Sequence, residues 1–215
     1  MDKVMIFDMD GVIVDSEYTF LESKTQILLD EGIDTDVTYQ YQFMGTTFDF
    51  MWQYMKKDLN LKKEVSDYIA DMNNRRDVMM ARDGIRPIKG AQDFIHWLFD
   101  NGYRLAVASS SPKHEIIRNL EELGLSDCFE IKVSGEEVAH SKPEPDVYLY
   151  AAELLGVDPK VCLAIEDTKN GSKSAKAAGM YVYGFENPDY PAQDLSAADK
   201  VVTTYDDLYA YFEKK

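Results

Sequence analysis

The chain has 215 residues, of which 45% are hydrophobic and 29% are charged. This composition excludes a disordered chain and predicts one full globular domain plus a smaller one. Its formal charge of −16 at pH 7 would repel polyanions, so we expect neither nucleic acid nor an anionic membrane as a partner. The cysteines, Cys128 and Cys162, form no CxxC motif, and no run of roughly 18 apolar residues occurs. We therefore expect a cytoplasmic monomer with two inert, buried thiols.

The first segment, VMIFDMDG, runs from an apolar strand into two acidic residues. Asp8 and Asp10 are separated by one residue and followed by Gly11. Carboxylates this close repel each other, so a nearby cation is expected to compensate them. A metal ion is one such cation.

Residues from about 17 to 85 show helical patterns and no convincing strand. Phe48, Met51, Trp52 and Met55 recur at helical spacing, and a second stripe follows at Val65, Tyr68, Ile69 and Met72. A cofactor-binding stripe would have the same spacing, but the packed core of a small helix bundle is the more common cause.

After residue 90, short apolar runs alternate with helical patterns. Strands are predicted at 104–111, 130–135, 161–167 and 180–185, and the helices between them are predicted to end at Gly124, Gly156 and Gly179. Nearly all-apolar strands separated by helices are typical of a parallel sheet covered on both faces.

These patterns predict an α/β fold, a Rossmann-like doubly wound parallel sheet with an inserted α-helical domain. We assign residues 1–16 and 86–215 to the α/β core and residues 17–85 to the helical insertion. Because the insertion follows the first strand directly, we expect it over the carboxyl edge of the sheet, where open α/β sheets bind ligands.

Polar residues follow four of the strand patterns and should converge at that edge. They are Asp8 with Asp10, Ser109, Lys142, and Glu166 with Asp167. Taken singly, each has an ordinary explanation as a turn, a helix cap, a surface lysine or a strand exit. A lone DxD motif is weak evidence, but four such clusters in one order favour a common site.

The combined chemistry of these residues indicates a metal and an anion. Several carboxylates in one cleft suit Mg²⁺, whereas zinc would require His or Cys ligands. His96, His114 and His140 have no ligand spacing. A hydroxyl and an ammonium group opposite the metal would bind the oxygens of a transferring phosphoryl group, and a carboxylate beside the metal is a possible covalent nucleophile.

Four motifs resemble the haloacid dehalogenase (HAD) superfamily, in particular its phosphatase and β-phosphoglucomutase-like branch with a helical cap. They are DMDG at 8–11, VASS at 107–110, SKPEPDVY at 141–148 and AIEDTKNG at 164–171. The resemblance spans nearly the whole chain and implies a magnesium-dependent reaction through an aspartyl phosphate. It also implies that the insertion at 17–85 is the cap that closes over the substrate.

The resemblance assigns a role to each residue of the four motifs. Asp8 would be the nucleophile and Asp10 the general acid and base. Ser109 and Lys142 would hold phosphate oxygens. The Mg²⁺ ligands would be the side chains of Asp8, Glu166 and Asp167 and the backbone carbonyl of Asp10.

The cap pattern favours a phosphatase for a small organic phosphate, with a sugar phosphate as one option, over a phosphosugar mutase. In β-phosphoglucomutase a histidine stands where this chain has Thr19, and an arginine that grips a second phosphate stands where it has Phe48. Arg75, Arg76 and Arg82 in the cap and Lys113 beyond it are possible substitutes for that arginine, although surface roles are more common. Possible substrate-contacting residues of the cap are Thr46, Thr47, Phe48 and Arg76.

Two alternatives remain outside this choice. A dehalogenase is disfavoured because such enzymes do not need the acidic pair Glu166 and Asp167. A phospho-aspartate regulatory or binding module, such as a receiver domain, also uses Mg²⁺ and paired acids. Receiver domains, however, carry their acceptor aspartate at the end of the third strand and lack a helical insertion after the first. The expected partner is therefore a small phosphorylated metabolite.

Overall fold

The computed structural model describes residues 3–44 and 46–212. The chain forms two compact units, one built from the chain up to Asp15 together with the chain from Pro87 onward, and the other from Ser16–Arg86. No helix in the described part of the chain is both long enough and apolar enough to span a bilayer.

The first unit is an α/β domain with six parallel strands in one sheet. The strands are β1 (Val4–Phe7), β2 (Arg104–Ser109), β3 (Ile131–Ser134), β4 (Cys162–Glu166), β5 (Tyr181–Phe185) and β6 (Lys200–Val202). The second unit is helical and contributes α1 (Glu17–Asp30), α2 (Phe48–Asp58) and α3 (Val65–Asp83), with a 3-10 helix at Val37–Phe43. The helices of the first unit are α4 (Ala91–Asp100), α5 (Lys113–Glu122), α6 (Asp146–Leu155), α7 (Lys169–Ala177) and α8 (Tyr205–Phe212).

The strand order is β3-β2-β1-β4-β5-β6, and each neighbouring pair is parallel. The order reverses between β1 and β4, which are direct neighbours with Phe7 opposite Ile165. Such a reversal opens a crevice at the carboxyl ends of the two strands. The predicted doubly wound α/β core is confirmed.

The apolar strands bury both faces of the sheet, as their composition predicts. All four residues of β1 are at most 1% exposed, and one face packs against Tyr148, Ala151 and Leu155 of α6. A rigid, buried strand therefore ends directly before Asp8.

The strand predictions are corrected at their edges. β2 ends at Ser109 and does not continue to residue 111, because the chain turns there into the start of α5. The short β6 was not predicted, since its three residues are too few to show a period.

The helical unit has its own core, as the two stripes predict. Met51, Trp52 and Met55 of α2 are buried, and the Trp52 ring stacks on Tyr68 of α3 with centroids 5.0 Å apart. The prediction is wrong for Phe48, which is 38% exposed. It is the first residue of α2, beyond the packed turns of the helix, and its ring lies 5.4 Å from that of Phe20.

Candidate active site

The acidic residues lie at the carboxyl edge of the sheet because the strands that carry them are parallel neighbours. Asp8 follows β1, and its backbone N–H donates to the Ile165 carbonyl of β4 at 3.0 Å. Ser109 is the last residue of β2 and Glu166 the last of β4. Asp167 follows Glu166 directly, so β1 and β4 together bring three carboxylates to the switch point of the sheet.

Lys142 joins two of these carboxylates from the segment between β3 and α6. Its Nζ donates to Asp8 Oδ1 at 2.7 Å, to Glu166 Oε1 at 2.6 Å and to the Ala108 carbonyl at 3.0 Å. The side chain is only 7% exposed. An ammonium group has three protons, so all three are engaged, and a contact between Lys142 and a bound phosphate requires one of these bonds to be exchanged.

The crowding of carboxylates perturbs their ionisation. Burial and the charge of Glu166 raise the pKa of Asp8 to about 7, against the opposing effect of Lys142. Burial and the charges of Asp8 and Glu166 raise the pKa of Asp167 well above its usual value. Burial tends to lower the pKa of Lys142, but the charges of Asp8 and Glu166 outweigh it and the pKa is raised. The single lysine thus stays charged, yet it compensates the acids incompletely.

The donor set fits a divalent cation. One carboxylate oxygen from each of Asp8, Glu166 and Asp167 lies within 4.8 Å of the others. Three carboxylates against one ammonium group leave two negative charges uncompensated when all are ionised. Asp167 Oδ1 is buried without a hydrogen-bond partner among the described residues. Hard oxygen donors with this charge suit Mg²⁺.

Two glycines leave the room that these carboxylates occupy. A Cβ at Gly11 would lie 1.9 Å from Asp167 Oδ2, and a Cβ at Gly171 would lie 1.9 Å from Glu166 Oε2. Gly11 also has a φ of +76°, a conformation that glycine adopts without strain. A side chain at either position would displace an acid from the cluster.

Asp10 is oriented differently from the other acids. Its Oδ2 accepts a hydrogen bond of 2.5 Å from Ser111 Oγ, and its side chain is not part of the three-carboxylate cluster. Asp10 therefore has its own hydrogen-bond donor, and its carboxylate lies outside the group of three acids whose oxygens converge.

Comparison with known proteins assigns most of the chain to one family. Residues 5–185 match the model of the haloacid dehalogenase-like hydrolase family. The chain belongs to this family. It is 30% identical to hexitol phosphatase B of Escherichia coli over 181 residues, which are 81% of this chain and 79% of that protein.

Two solved structures of HAD proteins are similar over nearly the full length. A HAD family hydrolase from Deinococcus radiodurans, crystallised with phosphate and sodium, has a TM-score of 0.86 and 29% identity, covering 99% of this chain and 96% of the other. A β-phosphoglucomutase from Clostridium difficile has a TM-score of 0.73 and 25% identity, covering 100% and 96%. The chain is thus similar both to a hydrolase and to a mutase.

The hydroxyl groups of this HAD site include one predicted residue and three that the sequence did not single out. Ser109 Oγ accepts from the Ser111 backbone N–H at 3.0 Å, and no acceptor for its own O–H occurs in the described part of the chain. Ser111, Tyr148 and Thr168 contact the acids but were missed, although Tyr148 lies within the motif at 141–148 and Thr168 within the motif at 164–171. These hydroxyl groups have no sequence signal of their own, whether they lie beside a motif, as Ser111 does, or within one.

The predicted cap residues have mainly local contacts within the helical unit. Thr46 Oγ1 donates to the Phe43 carbonyl at 2.7 Å, and Thr47 Oγ1 caps α2 by accepting from Phe50 N–H. The Arg76 guanidinium lies 3.3 Å from the centre of the Phe20 ring, and its Nε donates to Thr19 Oγ1 at 3.2 Å. Phe48 contacts the same Phe20 ring. Arg76 and Phe48 are therefore brought together, whereas Thr46 and Thr47 shape the backbone.

The other cationic candidates are engaged in ion pairs. Arg75 pairs with Asp30 and Asp71, and Arg82 pairs with Asp83. Lys113 pairs with Glu137 at 2.9 Å and also donates to the Lys132 carbonyl. These contacts match the surface roles that sequence reasoning preferred for them.

Helix α1 begins without a side-chain cap. Ser16 stands at the N-cap position of α1, but its side chain makes no cap hydrogen bond. Its φ and ψ of −92° and −17° are helical, whereas a capping serine needs an extended backbone to place its Oγ near the free N–H groups. Asp15 instead accepts a hydrogen bond of 2.6 Å from Tyr190.

Proposed function

We propose that this protein is a magnesium-dependent phosphatase that hydrolyses a small phosphate monoester, preferably a sugar phosphate, through a phosphorylated Asp8. One observation carries the proposal: three acids cluster at the ends of β1 and β4, two of them paired with one buried lysine, while Asp10 stands apart with its own hydrogen bond. Membership of a hydrolase family supports it. So does the likeness to hexitol phosphatase B, whose name describes a phosphatase for a polyol.

In the first half of the proposed reaction, a carboxylate oxygen of Asp8 attacks phosphorus and the bond to the leaving oxygen breaks. Asp10, in its protonated form, donates its proton to that oxygen so that a neutral alcohol departs. The product is an acyl phosphate on Asp8. Ser111, which hydrogen-bonds Asp10 Oδ2, would orient the acid during this transfer.

In the second half, Asp10 is a carboxylate and accepts a proton from water as the water oxygen attacks phosphorus. The acyl phosphate bond breaks, inorganic phosphate leaves, and Asp8 returns as a carboxylate with Asp10 protonated for the next cycle. Splitting one displacement into two in this way lowers the barrier of each.

The remaining site residues would bind the phosphate oxygens and the metal ion and balance their charges. Ser109 would donate its O–H to a phosphate oxygen, and Lys142 would contribute positive charge beside Asp8. Asp8, Glu166, Asp167 and the backbone carbonyl of Asp10 would hold Mg²⁺. The bound ion would supply the positive charge that keeps Asp8 ionised and balances the phosphate oxygens.

The substrate would be selected by the helical unit, which we propose to be the cap at residues 17–85. Its cluster of Thr19, Phe20, Phe48 and Arg76 offers a cation and aromatic surface, which suits a hydroxylated, anionic metabolite. The proposed setting is the cytoplasm, because the free thiols of Cys128 and Cys162 suit a reducing compartment.

A phosphosugar mutase is the second candidate, supported by the likeness to a β-phosphoglucomutase. Both reactions would begin with phosphorylated Asp8 and differ in whether water or a sugar hydroxyl receives the phosphoryl group. The presence of Thr19 and Phe48 in place of the histidine and arginine of β-phosphoglucomutase favours the hydrolase.

The experiment is phosphate release from a panel of sugar and polyol phosphates with Mg²⁺, run beside an assay for conversion of β-glucose 1-phosphate to glucose 6-phosphate. We expect free phosphate from one or more substrates and none from Asp8→Asn, which keeps the shape of the side chain and loses its nucleophile. Isomerisation with little free phosphate would establish the mutase instead. Wild-type rates in Asp8→Asn would refute the covalent mechanism.

A further inference from the structure

Tyr148 is a buried residue that contacts two charged side chains of the site. It is the third residue of α6 and is 0% exposed. Its O–H donates to Glu166 Oε1 at 2.7 Å, and its ring centre lies 5.1 Å from Lys142 Nζ. Tyr148 therefore contacts both the Glu166 carboxylate and the Lys142 ammonium group beside Asp8.

The two oxygens of Glu166 have different environments. Oε1 accepts strong hydrogen bonds from Lys142 and Tyr148, at 2.6 and 2.7 Å. Oε2 accepts only from Thr168 Oγ1, at 3.3 Å, among the described residues. A carboxylate held firmly through one oxygen leaves the other as the better ligand for a cation.

We propose that Tyr148 is a positioning residue whose hydroxyl fixes the Glu166 carboxylate so that Oε2 is presented to the metal. This inference rests on the proposed function, because it concerns the metal of that same site. Hydrogen bonds from outside the ligand set commonly orient metal-binding carboxylates in this way.

The hydroxyl can be separated from the rest of the side chain. The ring packs in the sheet core with Val147, Ala151 and Ala152, and phenylalanine would keep that packing and the contact with Lys142. Without the O–H, Glu166 Oε1 would retain Lys142 as its only strong donor, and the carboxylate would be free to rotate toward it. Removing one donor from a buried charge is costly because nothing else replaces it.

The test compares Tyr148→Phe with Tyr150→Phe, a matched control on the same helix that also removes one hydroxyl. Tyr150 is a partly buried neighbour of the same core, and no hydrogen bond joins it to the three acids in the described part of the chain. Mg²⁺ binding is measured by calorimetry, and phosphate release is measured as a function of Mg²⁺ concentration. We expect the dissociation constant for Mg²⁺ to rise about tenfold or more in Tyr148→Phe and to change less than about twofold in Tyr150→Phe. Saturating Mg²⁺ should restore most of the turnover of Tyr148→Phe.

The outcomes distinguish this inference from the proposed function. If the wild type releases phosphate with Mg²⁺ but Tyr148→Phe binds Mg²⁺ like the wild type, the positioning role is wrong and the phosphatase stands. If the wild type neither binds Mg²⁺ nor releases phosphate, both fail. A Tyr148→Phe protein that does not fold even with saturating Mg²⁺ would also overturn the inference, because the hydroxyl would then serve the fold.

Discussion

Gly171→Ala sets two physical effects against each other. Gly171 is the third residue of α7, and replacing a helical glycine by alanine ordinarily stabilises a protein by about 1 kcal/mol. Here the new Cβ would lie 1.9 Å from Glu166 Oε2 and 2.0 Å from the carboxylate carbon. Both atoms are too close, so rotating the carboxylate alone does not relieve the clash.

The size of the clash can be worked from these distances. A Cβ contact essentially never falls below 3.0 Å, so Glu166 Oε2 must move by at least 1.1 Å, the difference between 3.0 and 1.9 Å. A shift of that size stretches or breaks the bonds of 2.6 and 2.7 Å that Glu166 Oε1 receives from Lys142 and Tyr148. Each hydrogen bond to a charged group is worth about 1.5–3 kcal/mol, and overpacking adds about 1–3 kcal/mol. The clash should therefore outweigh helix propensity, with a net loss of about 2 kcal/mol or more.

The assay is urea unfolding of the metal-free protein, with Lys173→Ala as an exposed control in the same helix. We expect a lower free energy of unfolding in Gly171→Ala and almost no change in the control. In a Glu166→Ala background the clash is gone, so Gly171→Ala should become neutral or stabilising. A Gly171→Ala protein as stable as the wild type, or the same loss in both backgrounds, would refute the steric reasoning.

Three further predictions concern catalysis, ionisation and the cap. Asp10→Asn should slow phosphate release by roughly 10² or more, as expected for a lost general acid and base, and a stopped-flow or steady-state rate within about threefold of wild type would contradict that role. The pKa of Asp8 is raised from 3.8 to about 7 in the metal-free protein. Asp8 therefore contributes to stability below about pH 4, and this contribution is lost as the pH rises through about 7. Between pH 6 and 8 the ionisation of Asp8 alone should therefore lower the free energy of unfolding of the metal-free protein by about 1 kcal/mol. Thermal unfolding should then show a larger stabilisation by Mg²⁺ at pH 8 than at pH 6. A stabilisation at pH 8 that is equal to or smaller than that at pH 6 would contradict the raised pKa. Arg76→Ala should raise KM for the best substrate with little change in kcat, whereas Arg75→Ala, which removes ion pairs to Asp30 and Asp71, should leave KM unchanged; equal effects of the two variants would remove Arg76 from substrate recognition.

Much of the site was predictable because its residues follow strands. A parallel sheet brings the carboxyl ends of its strands to one edge, so Asp8, Ser109 and Glu166 were expected together before any distance was known. The helical stripe of α2 was readable in the same way, because burial repeats with the helix period. Phe48 departs from the stripe because it is the first residue of α2, where packing ends.

The amino-acid sequence by itself determined the alternation of strands and helices, the order of the acidic motifs and the family to which they belong. Only the tertiary structure decided which groups are paired. Lys142 donates its three protons to Asp8, Glu166 and the Ala108 carbonyl, and Tyr148 donates a further hydrogen bond to Glu166. The physical reason is the distance along the chain between the residues that interact. Periodicity and strand ends are local properties of the chain, whereas these hydrogen bonds join residues between 18 and 134 positions apart and depend on packing that no local pattern records.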